Sequence, residues 1–141
     1  MSATQLLLLP VFIHVALTAW VGGRAARARI GAVRSGETRI KDIALNSGGW
    51  PARARQLGNN FDSQFDVPLM WYGCCALLVA TGLADAAAVA LSWTFVATRI
   101  AHTFIHTGAN NVPRRLRAFL AGFACMVAMW MWFALRLYVI G

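Results

Sequence analysis

Long apolar runs alternate with short basic segments along the chain. Charge-free runs cover residues 1–23, 67–84 and 118–135. A bilayer crossing needs about 20 residues, so the first run spans alone and the other two reach span length with their flanks. A fourth apolar stretch, 86–112, is interrupted at its centre by Arg99, His102 and His106. The spacing i, i+3, i+7 places these three on one stripe of a helix. A cation at bilayer depth costs roughly 2.5–3.5 kcal/mol on insertion scales, so such a stripe faces a bundle interior or a watery cavity and finds partners there. The pattern predicts an all-α integral membrane protein, a single domain over residues 1–141. It would be a four-transmembrane-helix bundle with helices near 4–29, 54–83, 86–110 and 113–138.

Composition agrees. The chain is 59% hydrophobic and 13% charged, against about 25% charged in a soluble domain. Residues 1–23 lack a basic leader and a clear small-residue cleavage site, so they are read as the first helix rather than a signal peptide. The net charge of +8 invites a nucleic-acid reading, but the basic residues collect at helix ends, as the positive-inside rule requires. Eight lie between the first two helices, from Arg24 to Arg55, and Arg114, Arg115 and Arg117 lie between the last two. Both of these loops are therefore expected on the cytoplasmic side, with the 82–85 turn and both termini opposite. The Arg/Ala-rich, Lys-poor composition points to a bacterial inner membrane. Cys74, Cys75 and Cys125 fall inside predicted spans without a C-x-x-C pair and read as small apolar core residues.

The polar positions fall into a few groups. His14 stands alone in the first helix as a packed or pore-facing residue. Segment 30–53 is the only substantial loop, and Gly48-Gly49-Trp50-Pro51 marks a turn before the second helix. That helix opens with Arg53, Arg55, Gln56, Asn59, Asn60, Asp62, Ser63, Gln64 and Asp66. Phe61 and Phe65 interleave with them, which argues for partial burial. Buried polar groups need partners, and the Arg99 stripe supplies them, either as a structural pair with Asp62 or Asp66 or as part of a site. His102 and His106 at i, i+4 could hold a metal, but no third ligand or H-E-x-x-H pattern accompanies them. The fourth helix opens on Pro113 and continues with packing or lipid-facing Met and Trp.

Together Arg24–Arg29, Arg53, Arg55, Arg99 and Arg114–Arg117 converge as a cationic pocket in the cytoplasmic half. Asn60, Gln64 and Asp66 add donors and acceptors. The pocket suits a small, polyanionic, peptide-like ligand, because Arg binds carboxylates bidentately and Asp can pair with an ammonium.

Arg99-Ile100-Ala101-His102-Thr103, followed by Gly108 and then Pro113-Arg114-Arg115, closely resembles the third-to-fourth-helix motif of the MAPEG family, membrane-associated proteins in eicosanoid and glutathione metabolism. The 53–68 stretch is similar to the family's polar start of the second helix, and the resemblance carries motifs over residues 53–120. It implies a homotrimer binding glutathione between neighbouring subunits near the cytoplasmic face. Arg99, His102 and Arg115 would contact glutathione, with Asn60 and Asp66 from the second helix, and Arg27 or Arg29 in the place of the basic residue ending the first. The sequence departs from the family at His106, where several members carry Tyr, and at Leu116, where prostaglandin-forming members carry Ser. It also places its acid, Asp66, closer to the proline. The stretch 59–68 looks more like bacterial members.

The resemblance implies a glutathione-dependent membrane transferase or peroxidase acting on hydrophobic electrophiles or lipid hydroperoxides. Arg115 or Arg99 would stabilise the thiolate, and His106 would hydrogen-bond the sulfur. The rival reading is a non-catalytic membrane scaffold or binding protein of the same fold, with the stripe a structural network. A third is a metal or haem protein using His102, His106 and His14.

Overall fold

The computed structural model describes residues 1–140. Six helices follow one another: α1 (Ala3–Arg34), α2 (Ile40–Ile43), α3 (Ala52–Asp62), α4 (Val67–Ala80), α5 (Ala86–Thr107) and α6 (Val112–Leu135). A 3₁₀ turn at Ser47–Gly49 precedes α3, and a π turn, Arg136–Ile140, ends the described chain. No strand occurs among the described residues. Three helices are long and apolar enough to cross a membrane: α1, α5, and α6 with its π turn. Exposed large apolar side chains, such as Phe12, Leu69, Phe104, Leu120 and Met131, stud the outer surface. A surface of this kind suits lipid rather than water.

The helix expected over 54–83 is two helices, α3 and α4, separated at Ser63–Asp66. Pro68 accounts for the break. It lacks an N–H, so it cannot bond back to the turn before it, and its ring would clash with the Gln64 carbonyl if the helix ran straight through. Asp66 takes a non-helical conformation there, with φ −76° and ψ −97°. The first helix also runs five residues beyond the expected 29, to Arg34.

Each end of the bundle is held differently. Away from the basic loops, Leu7, Trp71, Cys75, Leu78, Phe95, Met129 and Phe133 form a continuous apolar core, with Trp71 stacked on Phe95 at 4.7 Å. A single carboxylate closes that end. Asp85 accepts from the Ala88 N–H at 2.9 Å, capping α5. It also accepts from the Trp132 indole at 3.1 Å and pairs with Arg136 at 3.6 Å. Toward the basic end the buried residues become polar: Asn60, Gln64, Arg99, His102, Thr103 and His106. α5 carries four of these six and packs most extensively on α6.

Candidate functional site

Four carbonyl groups at the end of any helix lack a helical partner, and buried ones need donors from the protein. The end of α3 meets this demand with side chains. The Ser63 carbonyl accepts from Arg99 Nη2 at 2.8 Å. The Asn60 carbonyl accepts from Gln64 Nε2 at 3.0 Å and from the Ser63 hydroxyl at 2.7 Å. Arg99, only 2% exposed, thus places its positive charge at the negative end of the α3 dipole. It makes no ion pair with Asp62 or Asp66; the pairs among the described residues are Arg39–Asp42 and Arg136–Asp85.

From this anchor a polar network runs across the bundle. Gln64 Nε2 donates to the Thr103 hydroxyl at 3.1 Å and reaches Asn60 Oδ1 at 3.3 Å. Asn60 Nδ2 lies 3.2 Å from His106 Nδ1, and as a donor it requires an unprotonated acceptor there. His106 forms one wall of a pocket of about 520 Å³ at the basic end. Arg53, Arg55, Arg115, Asn59 and Asn110 also line it, and no carboxylate does. The wall is braced by α3: Gln56 Nε2 donates to the carbonyls of His106 at 2.6 Å and Gly108 at 3.1 Å. Arg53 donates to that of Thr107 at 2.6 Å. These donors occupy the C-terminal carbonyls of α5, where a cation also suits the dipole.

A second, mostly apolar recess of about 260 Å³ is lined by His102, Val112, Arg115, Leu116 and Phe119. Arg115 borders both cavities. His102 is 5% exposed, and neither ring nitrogen has a hydrogen-bond partner. Its ring meets His106 edge-on at 5.5 Å. No group of three His, Cys, Asp or Glu arranged to hold a metal occurs among the described residues. His14 belongs to a separate cluster, with its Nδ1 2.7 Å from the Tyr72 hydroxyl.

The residues singled out in the sequence therefore fall into three places. His106 and Arg115 line the polar pocket, and His102 and Arg115 line the apolar recess. Asn60, Gln64 and Arg99 stand behind, buried and bonded to one another's elements. Arg27, Arg29 and Asp66 lie outside both cavities. Arg27 and Asp66 are exposed. Arg29 lies over Trp50 at 5.3 Å and against Gly58, where a Cβ would stand 2.5 Å from its Nη2. Gln56 and Asn110 had no assigned role in the sequence. The turn residues 108–111 before Pro113 were the available signal for Asn110, and the polar opening of α3 for Gln56.

Fold and site together define an integral membrane protein with a basic pocket joined to an apolar recess through one arginine. The MAPEG family profile matches residues 7–135, and the chain belongs to that family. No curated protein and no solved structure matches the chain significantly.

Proposed function

We propose that this protein is a glutathione-dependent membrane transferase or peroxidase acting on hydrophobic electrophiles or lipid hydroperoxides. The observation that carries this reading is the position of Arg115, shared by the basic pocket and the apolar recess. Its family often uses glutathione, and the pocket suits that tripeptide. At about 520 Å³ it lies within the usual range of roughly 300–1,000 Å³ for ligand sites. Arg53, Arg55 and Arg115 offer guanidinium forks for two carboxylates and a sulfur anion. Glutathione, when bound, supplies the thiol that attacks an electrophile or reduces a hydroperoxide. Arg115 favours the thiolate by its charge, and His106, whose Nδ1 accepts from Asn60, donates from Nε2 beside it. Asn60, Gln64 and Arg99 position His106 and the end of α3. His102 faces the apolar recess, through which a lipid-soluble substrate would enter. Since no carboxylate lines the pocket, the ligand's ammonium would be met by exposed Asp66 of a neighbouring copy. The same boundary would bring in Arg27 and Arg29, in a homotrimer.

In this reading α3 and α4 together make the fourth crossing. The 35–51 and 108–111 loops face the cytoplasm, both termini lie opposite, and a bacterial inner membrane is the setting.

Calorimetry of glutathione against detergent-purified protein tests the proposal. Binding is expected, and Arg115→Ala should weaken it about 10- to 150-fold, the loss of one charge-assisted bond worth about 1.5–3 kcal/mol. No binding by a well-folded oligomer sinks the proposal. The network from Gln64 through Asn60 to His106 favours a second reading, a non-catalytic scaffold, because it needs no ligand. That reading predicts that Arg99→Ala breaks assembly while Arg115→Ala changes nothing.

A further inference from the structure

We propose that Asn110 is a positioning residue, a neutral tether that holds the Arg115 guanidinium at the mouth shared by the basic pocket and the apolar recess. Asn110 is the one non-glycine residue with positive φ among the described residues, at 50°. Such backbone is uncommon outside glycine, and Asn tolerates it better than most. The conformation lets the Asn110 N–H reach the Ile105 carbonyl at 2.9 Å and close the end of α5. Glycine would serve this backbone as well. What the asparagine adds is its amide oxygen, which accepts from Arg115 Nη1 at 2.7 Å.

The tether works because its base cannot drift. Gln56 and Arg53 hold the carbonyls of His106, Thr107 and Gly108 just upstream. Arg115, half-buried, would otherwise sample many rotamers between the two cavities. An amide acceptor orients it without cancelling its charge. A carboxylate at the same place would form an ion pair and leave less charge for an incoming anion. That the anion is glutathione rests on the function proposed above; the restraint on Arg115 does not.

Arginine-selective modification of the full-length purified protein by phenylglyoxal tests the restraint, read as the rate at Arg115 relative to exposed Arg117 by peptide mass spectrometry. Asn110→Gly keeps the backbone and drops the acceptor, so the Arg115/Arg117 ratio should rise several-fold. Asn110→Asp keeps an acceptor and adds an ion pair, so the ratio should fall below the wild-type value. In calorimetry, Asn110→Gly should weaken glutathione binding several-fold, less than Arg115→Ala does, because the guanidinium keeps its charge. Asn110→Asp should also weaken it, by neutralising Arg115. An unchanged ratio in Asn110→Gly, or an unchanged or raised ratio in Asn110→Asp, overturns the proposal. Should Asn110→Gly fail to fold, the Asn110→Asp ratio still decides. Wild-type protein that binds no glutathione would overturn the ligand reading alone, because the modification ratio needs no ligand.

Discussion

Gly122→Ala should destabilise the protein, and Thr98→Ala should reverse the sign of that effect. Gly122 is buried on α6 where α6 meets α5. A Cβ there would stand 2.7 Å from Thr98 Oγ1 and 3.6 Å from Thr98 Cβ, with Arg99 Cδ at 3.9 Å. The first distance is a clash; the last is ordinary contact. Thr98 cannot yield freely. It is β-branched and stiff at χ1, and its hydroxyl donates to the Phe95 carbonyl at 2.6 Å. Overpacking of this kind costs about 1–3 kcal/mol, while alanine in place of glycine in a helix returns about 0.5–1 kcal/mol. The net loss is therefore roughly 0–2.5 kcal/mol. With Thr98→Ala the obstructing oxygen is gone, and Gly122→Ala should stabilise by about 0.5–1 kcal/mol. With Thr98→Val both γ positions are filled, so no rotamer escapes and the substitution should stay destabilising. Reversible unfolding in mixed detergent, measured for wild type, the single variants and both doubles, gives the coupling. Effects of Gly122→Ala that agree within about 0.5 kcal/mol in all three backgrounds, the limit of additivity for independent sites, would refute this account of the α5–α6 seam.

Replacing Arg99 by Met should loosen the break between α3 and α4 before it affects the apolar core. With the Ser63 carbonyl left without its donor, a loss of about 1–3 kcal/mol, amide exchange at 63–66 should quicken roughly 5- to 150-fold while that of 126–133 holds; equal change in both segments contradicts it. At the opposite end, Asp85→Asn keeps an oxygen to cap α5 and gives up only a partly exposed ion pair, worth about 0–1 kcal/mol. Asp85→Ala also loses the cap, worth about 0.5–2 kcal/mol, so its melting temperature should fall further than that of Asp85→Asn, and a tie would refute the capping role.

The sequence made the long helices and the inward stripe legible because both rest on period and on the cost of burying charge. Arg99, His102 and His106 had to face protein, and all three are buried. The break in the 54–83 helix was harder to see. Pro68 carried the signal, but the residues before it, rich in Asn, Gln and Ser, serve equally as a helix end or as an unwound turn. Which of these forms depends on whether a side chain elsewhere can take the freed carbonyls. That side chain is Arg99, 36 residues away in the chain, a distance local pattern does not reach. Arg29 illustrates the same limit from the other side. Its guanidinium lies over the ring of Trp50, a contact that only the folding back of the 35–51 segment makes.

The split between α3 and α4 bears on the bilayer as well as on the site. α4 has 14 residues, which at about 1.5 Å each reach roughly 21 Å, well short of a hydrocarbon layer of about 30 Å. If α3 and α4 make one crossing, the remaining depth is covered by a helix bearing Arg55, Asn59 and Asp62 on its exposed positions. The lipid beside it has to thin, or admit water, at a modest cost for each ångström of mismatch. The hydrocarbon around this protein would thus be lopsided, full-depth along α1 and α6 and dimpled beside α3. Through such a dimple a water-borne thiol could descend partway into the membrane, while an oily reactant need never leave it.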